Sequence, residues 1–194
     1  PAPPPGGVNL VSSFDSQRSI DTGYGLDNPH AAPVAGGSMM EQAGQASAMT
    51  LWTGIAARNL AGLPGVDFEA ATLLKHLDAT PPDPRKAEYV NYTSTISGTS
   101  AQAAFEYFKK HPKEWFGASG ITLHPPITEL KDGARVALAE PTATPPVMAP
   151  IEIHLDEASR TVSITTLDGH PLRGVNQFTF EDAPGGCEMQ QSSA

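Results

Sequence analysis

The residue types able to do chemistry gather in the C-terminal half of the chain, where His124, His154 and His170 accompany Glu152, Asp156 and Asp168. Imidazole nitrogens and carboxylate oxygens of this kind could hold a metal ion if three or four met at matched distances with supporting hydrogen bonds. No H-x-x-x-H or H-E-x-x-H run occurs, so the histidines read as isolated turn or surface residues, and neither a metal nor a cofactor is expected. Ser163 or Thr165 with Asp168 and His170 has the composition of a nucleophilic triad but no nucleophile elbow. Asp168 and His170 instead flank Gly169, where Asp and Gly serve a tight turn for local reasons. Arg173 could grip a carboxylate or phosphate bidentately, although a surface ion pair is the plainer expectation. Cys187, the one cysteine, has no histidine close in sequence to activate it and reads as an inert, buried or half-exposed thiol. No catalytic set is assigned.

These groups need elements to position them, and the clearest lie around Val162 to Glu181. Ile151, Ile153 and Leu155 alternate with Glu152 and His154, and Val162 and Ile164 alternate with Ser163 and Thr165, which predicts a hairpin turning over Asp156 to Arg160. After Gly169 to Gly174 a further strand runs Val175 to Glu181, with Asn176, Phe178 and Phe180 on one face. A last strand follows over Cys187 to Gln191. Upstream, Glu88 to Ser97 reads as a strand. A helix follows over Thr99 to Tyr107, with Thr99 and Gln102 at capping-box spacing and Ala101, Ala104, Phe105 and Phe108 on one face. His111-Pro112 ends it, and Trp115-Phe116 folds back as a hydrophobic plug. Short edge pieces are expected over Ile121 to Pro126 and Ile127 to Leu130, then a strand over Arg135 to Ala139. The proline-rich EPTATPPVMAP run (140–150) reads as an exposed connection or lid.

The N-terminal part differs in character. Residues 1–37 form a Pro/Gly-rich arm, extended or looped. Residues 38–79 form a helical segment. Its first helix spans Ser38 to Leu60 and starts at a Ser38–Glu41 capping box. Its second spans Asp67 to Leu77, with Asp67 as N-cap and Phe68, Ala71, Leu74 and Leu77 inward. Prolines 81, 82 and 84 mark residues 80–86 as a linker, and residues 87–194 make the α+β domain.

Composition excludes several function classes. The formal charge is −9 and the 12 basic residues are dispersed, so a phosphate backbone would be repelled and nucleic acid is not an expected partner. No apolar run is long enough to span a membrane. PAPPPGGVNLVSSF has no basic segment followed by an apolar one, as an intact signal peptide would. A single cysteine suits a reducing, cytoplasmic setting.

The order of one strand, a capped helix and an antiparallel meander makes residues 86–194 resemble the START-like, or helix-grip, superfamily (SRPBCC), whose relatives include polyketide cyclases. The run TTLDGHPLRGVNQFTFE resembles a family of unknown function within it, through Thr166, Leu167, Gly169, His170, Pro171, Gly174 and Phe178. The resemblance implies an antiparallel sheet packed on helices, with a mainly apolar cavity between sheet and helix. Tyr92, Phe105, Trp115, Met148, His154 and Phe178 are the candidate ligand contacts. Relatives close the sheet with a long C-terminal helix. The sequence stops at Ala194, just after the last expected strand, so either the chain is truncated or another helix takes that place, Ser38 to Leu60 being the candidate within the chain and a partner's helix the alternative. The leading functional expectation is non-catalytic binding of a small apolar or aromatic molecule. Beside it stand a cyclase-, aromatase- or hydrolase-like enzyme using His154, and a structural subunit assembling through residues 1–60.

Overall fold

Period-two alternation from Arg135 onward becomes an antiparallel meander in which each strand pairs with the one that precedes it in the chain. The computed structural model describes residues 39–83, 85, 89–118, 120–140 and 147–194. The arm of residues 1–37, the side chains of the Ser38–Glu41 capping box and residues 141–146 of the expected lid lie outside the described residues.

The strands are β1 (Val90–Ser97), β2 (Thr122–His124), β3 (Arg135–Glu140), β4 (Val147–Asp156), β5 (Thr161–Thr166), β6 (Val175–Ala183) and β7 (Gly186–Ser193). They form one seven-stranded antiparallel sheet in the order β1-β7-β6-β5-β4-β3-β2. The expected hairpin is β4 and β5, with Ile153 opposite Ile164 and Leu155 opposite Val162. β7 closes the meander by returning to β1, placing Tyr92 opposite Gln191 and Ile96 opposite Cys187. With helices between β1 and β2, the chain is an α+β fold in the element order that the helix-grip resemblance implies.

Among the described residues the helices that pack on this sheet are α1 (Met39–Leu60), α2 (Val66–Leu74), α3 (Ala101–Lys110) and α4 (Pro112–Gly117). Each boundary has a local cause. α3 starts one residue later than expected: its N-cap is Ser100, whose hydroxyl accepts from Ala103 N at 3.1 Å. A second orphan donor, Ala101 N, is met by Asp182 Oδ1 at 2.8 Å from the far end of β6. Pro112 then opens α4, where its missing N–H costs nothing. α2 departs further from expectation. Its N-cap is Gly65, with φ of 91° and no side-chain cap, and Asp67 lies inside the first turn. The buried stripe is Val66, Ala70 and Leu74, so Phe68, expected inward, is 76% exposed.

Two further expectations are corrected. Ile127 to Leu130 is irregular rather than a strand. Val147 to Pro150, expected in an exposed connection, belongs to β4, with Met148, Ala149 and Pro150 buried. Pro150 lies opposite Ala137 in the sheet, and its carbonyl accepts from Leu167 N at 3.0 Å.

One face of the sheet is buried along its length, and the second is buried where β3 and the first half of β4 run. One carries Val136, Leu138, Ile151, Ile153, Val162, Ile164, Phe178, Phe180, Cys187 and Met189 beneath α3 and α4. The other carries Ala137, Ala139, Met148 and Leu167 beneath α1 and α2, with Trp52, Ile55, Ala70 and Leu74 facing them. Thr80, at the start of the stretch read as a linker, is buried, and its N–H donates to Thr166 O at 2.8 Å.

Candidate ligand-binding face

Strand alternation and two short helices build the face beneath α3 and α4. Phe105 and Phe108 point inward because Ala101, Ala104, Phe105 and Phe108 share one side of α3. Trp115 and Phe116 follow on α4. Trp115 meets Phe108 edge-on at 4.7 Å between ring centres and Phe178 edge-on at 4.9 Å, and Phe108 lies 5.2 Å from Phe180. Edge-to-face pairs of this kind add to the stabilisation that burial already provides.

The α3 end of the face is held by charge. Lys109 donates to Glu157 Oε1 at 2.6 Å and pairs with Glu106 at 3.0 Å, lying 5.0 Å over the Phe105 ring. Burial opposes the Lys109 charge, but the two carboxylates outweigh it and raise its pKa above the ordinary lysine range. Tyr107 donates its hydroxyl to Glu114 Oε2 at 2.7 Å, tying α3 to α4.

Toward the other end, β6 and β7 change in chemistry without changing phase. Asn176 is in step with Phe178 and Phe180, and Gln191 with Cys187 and Met189, so both amides point into the same buried face. Asn176 is 3% exposed and Gln191 1%. Gln191 Nε2 donates to Asn176 Oδ1 at 3.4 Å, and Ser193 Oγ donates to the same oxygen at 3.0 Å. Asn176 Nδ2 and Gln191 Oε1 are fully buried with no hydrogen-bond partner. Leaving a buried donor or acceptor unmet costs about 1–3 kcal/mol each. Ser94 on β1, in phase with Ile96, adds a third buried polar side chain to this face.

The structure separates the candidate contacts named from sequence. Phe105, Trp115 and Phe178 lie in this core, and Tyr92, half-buried on β1 opposite Gln191, is in phase with it. Met148 is buried on the opposite face, under α1. His154 is also on the opposite side of β4, with its side chain 46% exposed and Nε2 2.8 Å from Glu152 Oε1. Asn176 and Gln191, rather than His154, are buried polar side chains of this face. Their signal was present in the sequence, as polar residues in phase with an apolar strand face. α1, expected as a lid over these aromatics, packs beneath the other face because its buried side carries Trp52, Ile55 and Ala56 against Met148 and Leu167.

The other chemistry-bearing residues do not converge. His124 Nδ1 donates to Asp67 Oδ1 at 2.6 Å, and its Nε2 is 3.2 Å from Thr122 Oγ1. His170 is buried and its Nδ1 accepts from Leu172 N at 2.9 Å. Among the described residues, no group of three or more His, Cys, Asp or Glu is placed to hold a metal ion. Cys187 is buried, and burial first, with the Asp182 charge adding to it, pushes its thiol pKa up, away from the reactive thiolate. Arg173 Nε donates to Pro81 O at 2.6 Å. No described helix is long and apolar enough to cross a membrane.

The Leu-x-Gly-His-Pro turn proves to be a docking device. Leu167 is buried under α1, and the backbone of Gly169 lies directly on Trp52. Thr166 Oγ1 accepts from Gly174 N at 2.9 Å, closing the turn.

Among solved structures, the chain is similar to the crystal structure of Ara h 8.0201, at 15% identity and a TM-score of 0.39, over 55% of this chain and 75% of that chain. No family model and no curated protein matches the sequence.

Proposed function

We propose that the chain is a non-catalytic binding module that holds a small apolar or aromatic molecule against the sheet face beneath α3 and α4. The observation that carries this reading is the change along one buried face from aromatic rings to inward-pointing Ser94, Asn176 and Gln191. A core built only for stability has no use for amides there, whereas ligand sites are largely apolar with a few convergent polar groups that fix orientation. Tyr92, Phe105, Trp115 and Phe178 are the proposed apolar contacts. The test is titration of the full chain with the neutral fluorophore N-phenyl-1-naphthylamine. Saturable, blue-shifted emission is expected, and Ser94→Phe, which fills the polar end, is expected to abolish it while leaving the circular dichroism intact. The absence of saturable emission, or emission indifferent to Ser94→Phe, removes the reading.

A hydrolase-like reading is favoured by one separate observation, the series Asp67, His124, Thr122, in which a carboxylate and a hydroxyl lie at the two nitrogens of one imidazole. The same contacts also tie α2 to the edge strand β2. Ester turnover that is unchanged in Thr122→Val and His124→Gln eliminates it.

A further inference from the structure

Asn176 and Gln191 share a single hydrogen bond, and what is left over is one donor group and one acceptor. Asn176 Nδ2 and Gln191 Oε1 have no partner, while Asn176 Oδ1 takes both Gln191 Nε2 and Ser193 Oγ. Exchanging nitrogen and oxygen in both amides preserves the balance, because each side chain still spends one end on the other and leaves the opposite end unmet. The pair sits directly beyond the aromatic cluster: Phe178 lies across the strand pair from Gln191, and Asn176 lies across from Ile164. A ligand that reaches past the rings therefore meets a donor and an acceptor on neighbouring, buried side chains.

Resting on the binding reading above, we infer that the Asn176–Gln191 pair selects neutral molecules that present a hydrogen-bond acceptor beside a donor, as the edge of a lactam or cis-amide does. An anion would satisfy the amide N–H but face the unmet carbonyl oxygen, and a cation would do the reverse. A plain hydrocarbon would leave both groups unmet. Each partner satisfied is worth about tenfold in affinity.

The experiment displaces N-phenyl-1-naphthylamine from the full chain with isoquinolin-1(2H)-one, its N-methyl derivative and naphthalene, which share a bicyclic frame but differ in that edge. The lactam is expected to bind at least about tenfold more tightly than the other two. In the near-isosteric double variant Asn176→Leu/Gln191→Met the three affinities are expected to converge, with naphthalene retained and the melting temperature equal or higher. A Ser193→Ala variant, which keeps both amides, is expected to keep the preference. Binding of all three compounds with equal affinity, or a preference that survives in the double variant, overturns this inference and leaves the binding reading standing. Failure of all three to displace the probe overturns both.

Discussion

At Gly169 an added Cβ would lie 2.8 Å from both Ala48 Cβ and Trp52 Cδ1, and the backbone there has φ of 92°. Both effects act against any other residue, so Gly169→Ala is expected to cost about 2–4 kcal/mol in urea denaturation. Gly174 is constrained differently: a Cβ would lie 2.0 Å from Ala194 O, in the space used by the Val175–Ala194 backbone pairing. The glycines of the motif therefore serve close approach rather than catalysis. Tyr107 offers a pH test at the same scale. Its hydrogen bond to Glu114, helped by burial and by the carboxylate charge, raises the phenol pKa to about 12. Because the folded state favours the protonated phenol, this contribution to stability is complete below the ordinary tyrosine pKa near 10 and is lost as pH rises through about 12. Ultraviolet titration of the tyrosinate absorbance should show one late-titrating tyrosine, which Glu114→Gln moves back toward the ordinary value.

At the scale of elements, the helix ends and faces decide how the core is presented. α3 is capped twice, by Ser100 from its own sequence and by Asp182 from β6. Ser100→Ala and Asp182→Ala are each expected to lower stability by about 1 kcal/mol, measured by thermal unfolding. Asp182→Ala should also loosen α3 from the sheet and weaken probe binding. α2 tests the rotated stripe. Phe68→Ser is expected to change stability by less than about 0.5 kcal/mol, since the ring is exposed, whereas Leu74→Ala should cost about 2–4 kcal/mol. The end of α2 is held by Arg135, whose guanidinium donates to Leu74 O and Leu77 O at 2.8 and 2.7 Å while Nε donates to Glu152 Oε2 at 2.7 Å. One side chain on β3 thus closes a helix end that local sequence leaves open.

For the whole molecule, the sheet is a shared wall between two cores, one holding Trp115 and the other Trp52. These are the two tryptophans of the chain. Reading residues 38–79 as a separate segment would give each tryptophan its own unfolding transition. A shared wall instead predicts that the emission of Trp52→Phe and of Trp115→Phe variants reports one coincident transition in guanidinium, matching circular dichroism. The strands β3 to β7 other than the Val147 to Pro150 part of β4, the hairpin at Asp156 to Arg160 and the helix around Phe105 were legible in the sequence. Alternation at period two and a stripe at period 3.6 are local properties, enforced wherever one face is buried. That Asn176 keeps phase with Phe178 and Phe180 was equally legible. Its meaning was not, because nothing local says that Gln191 on the next strand leaves its own oxygen unmet. Tertiary structure alone decided which face α1 and α2 cover, that Met148 and His154 lie on the side of β4 opposite Phe178, and that the Gly169 turn is a seat for Trp52. These are contacts between segments far apart in sequence. The pattern within a segment states that it has a face to bury, while the packing of the other segments determines what that face is buried against.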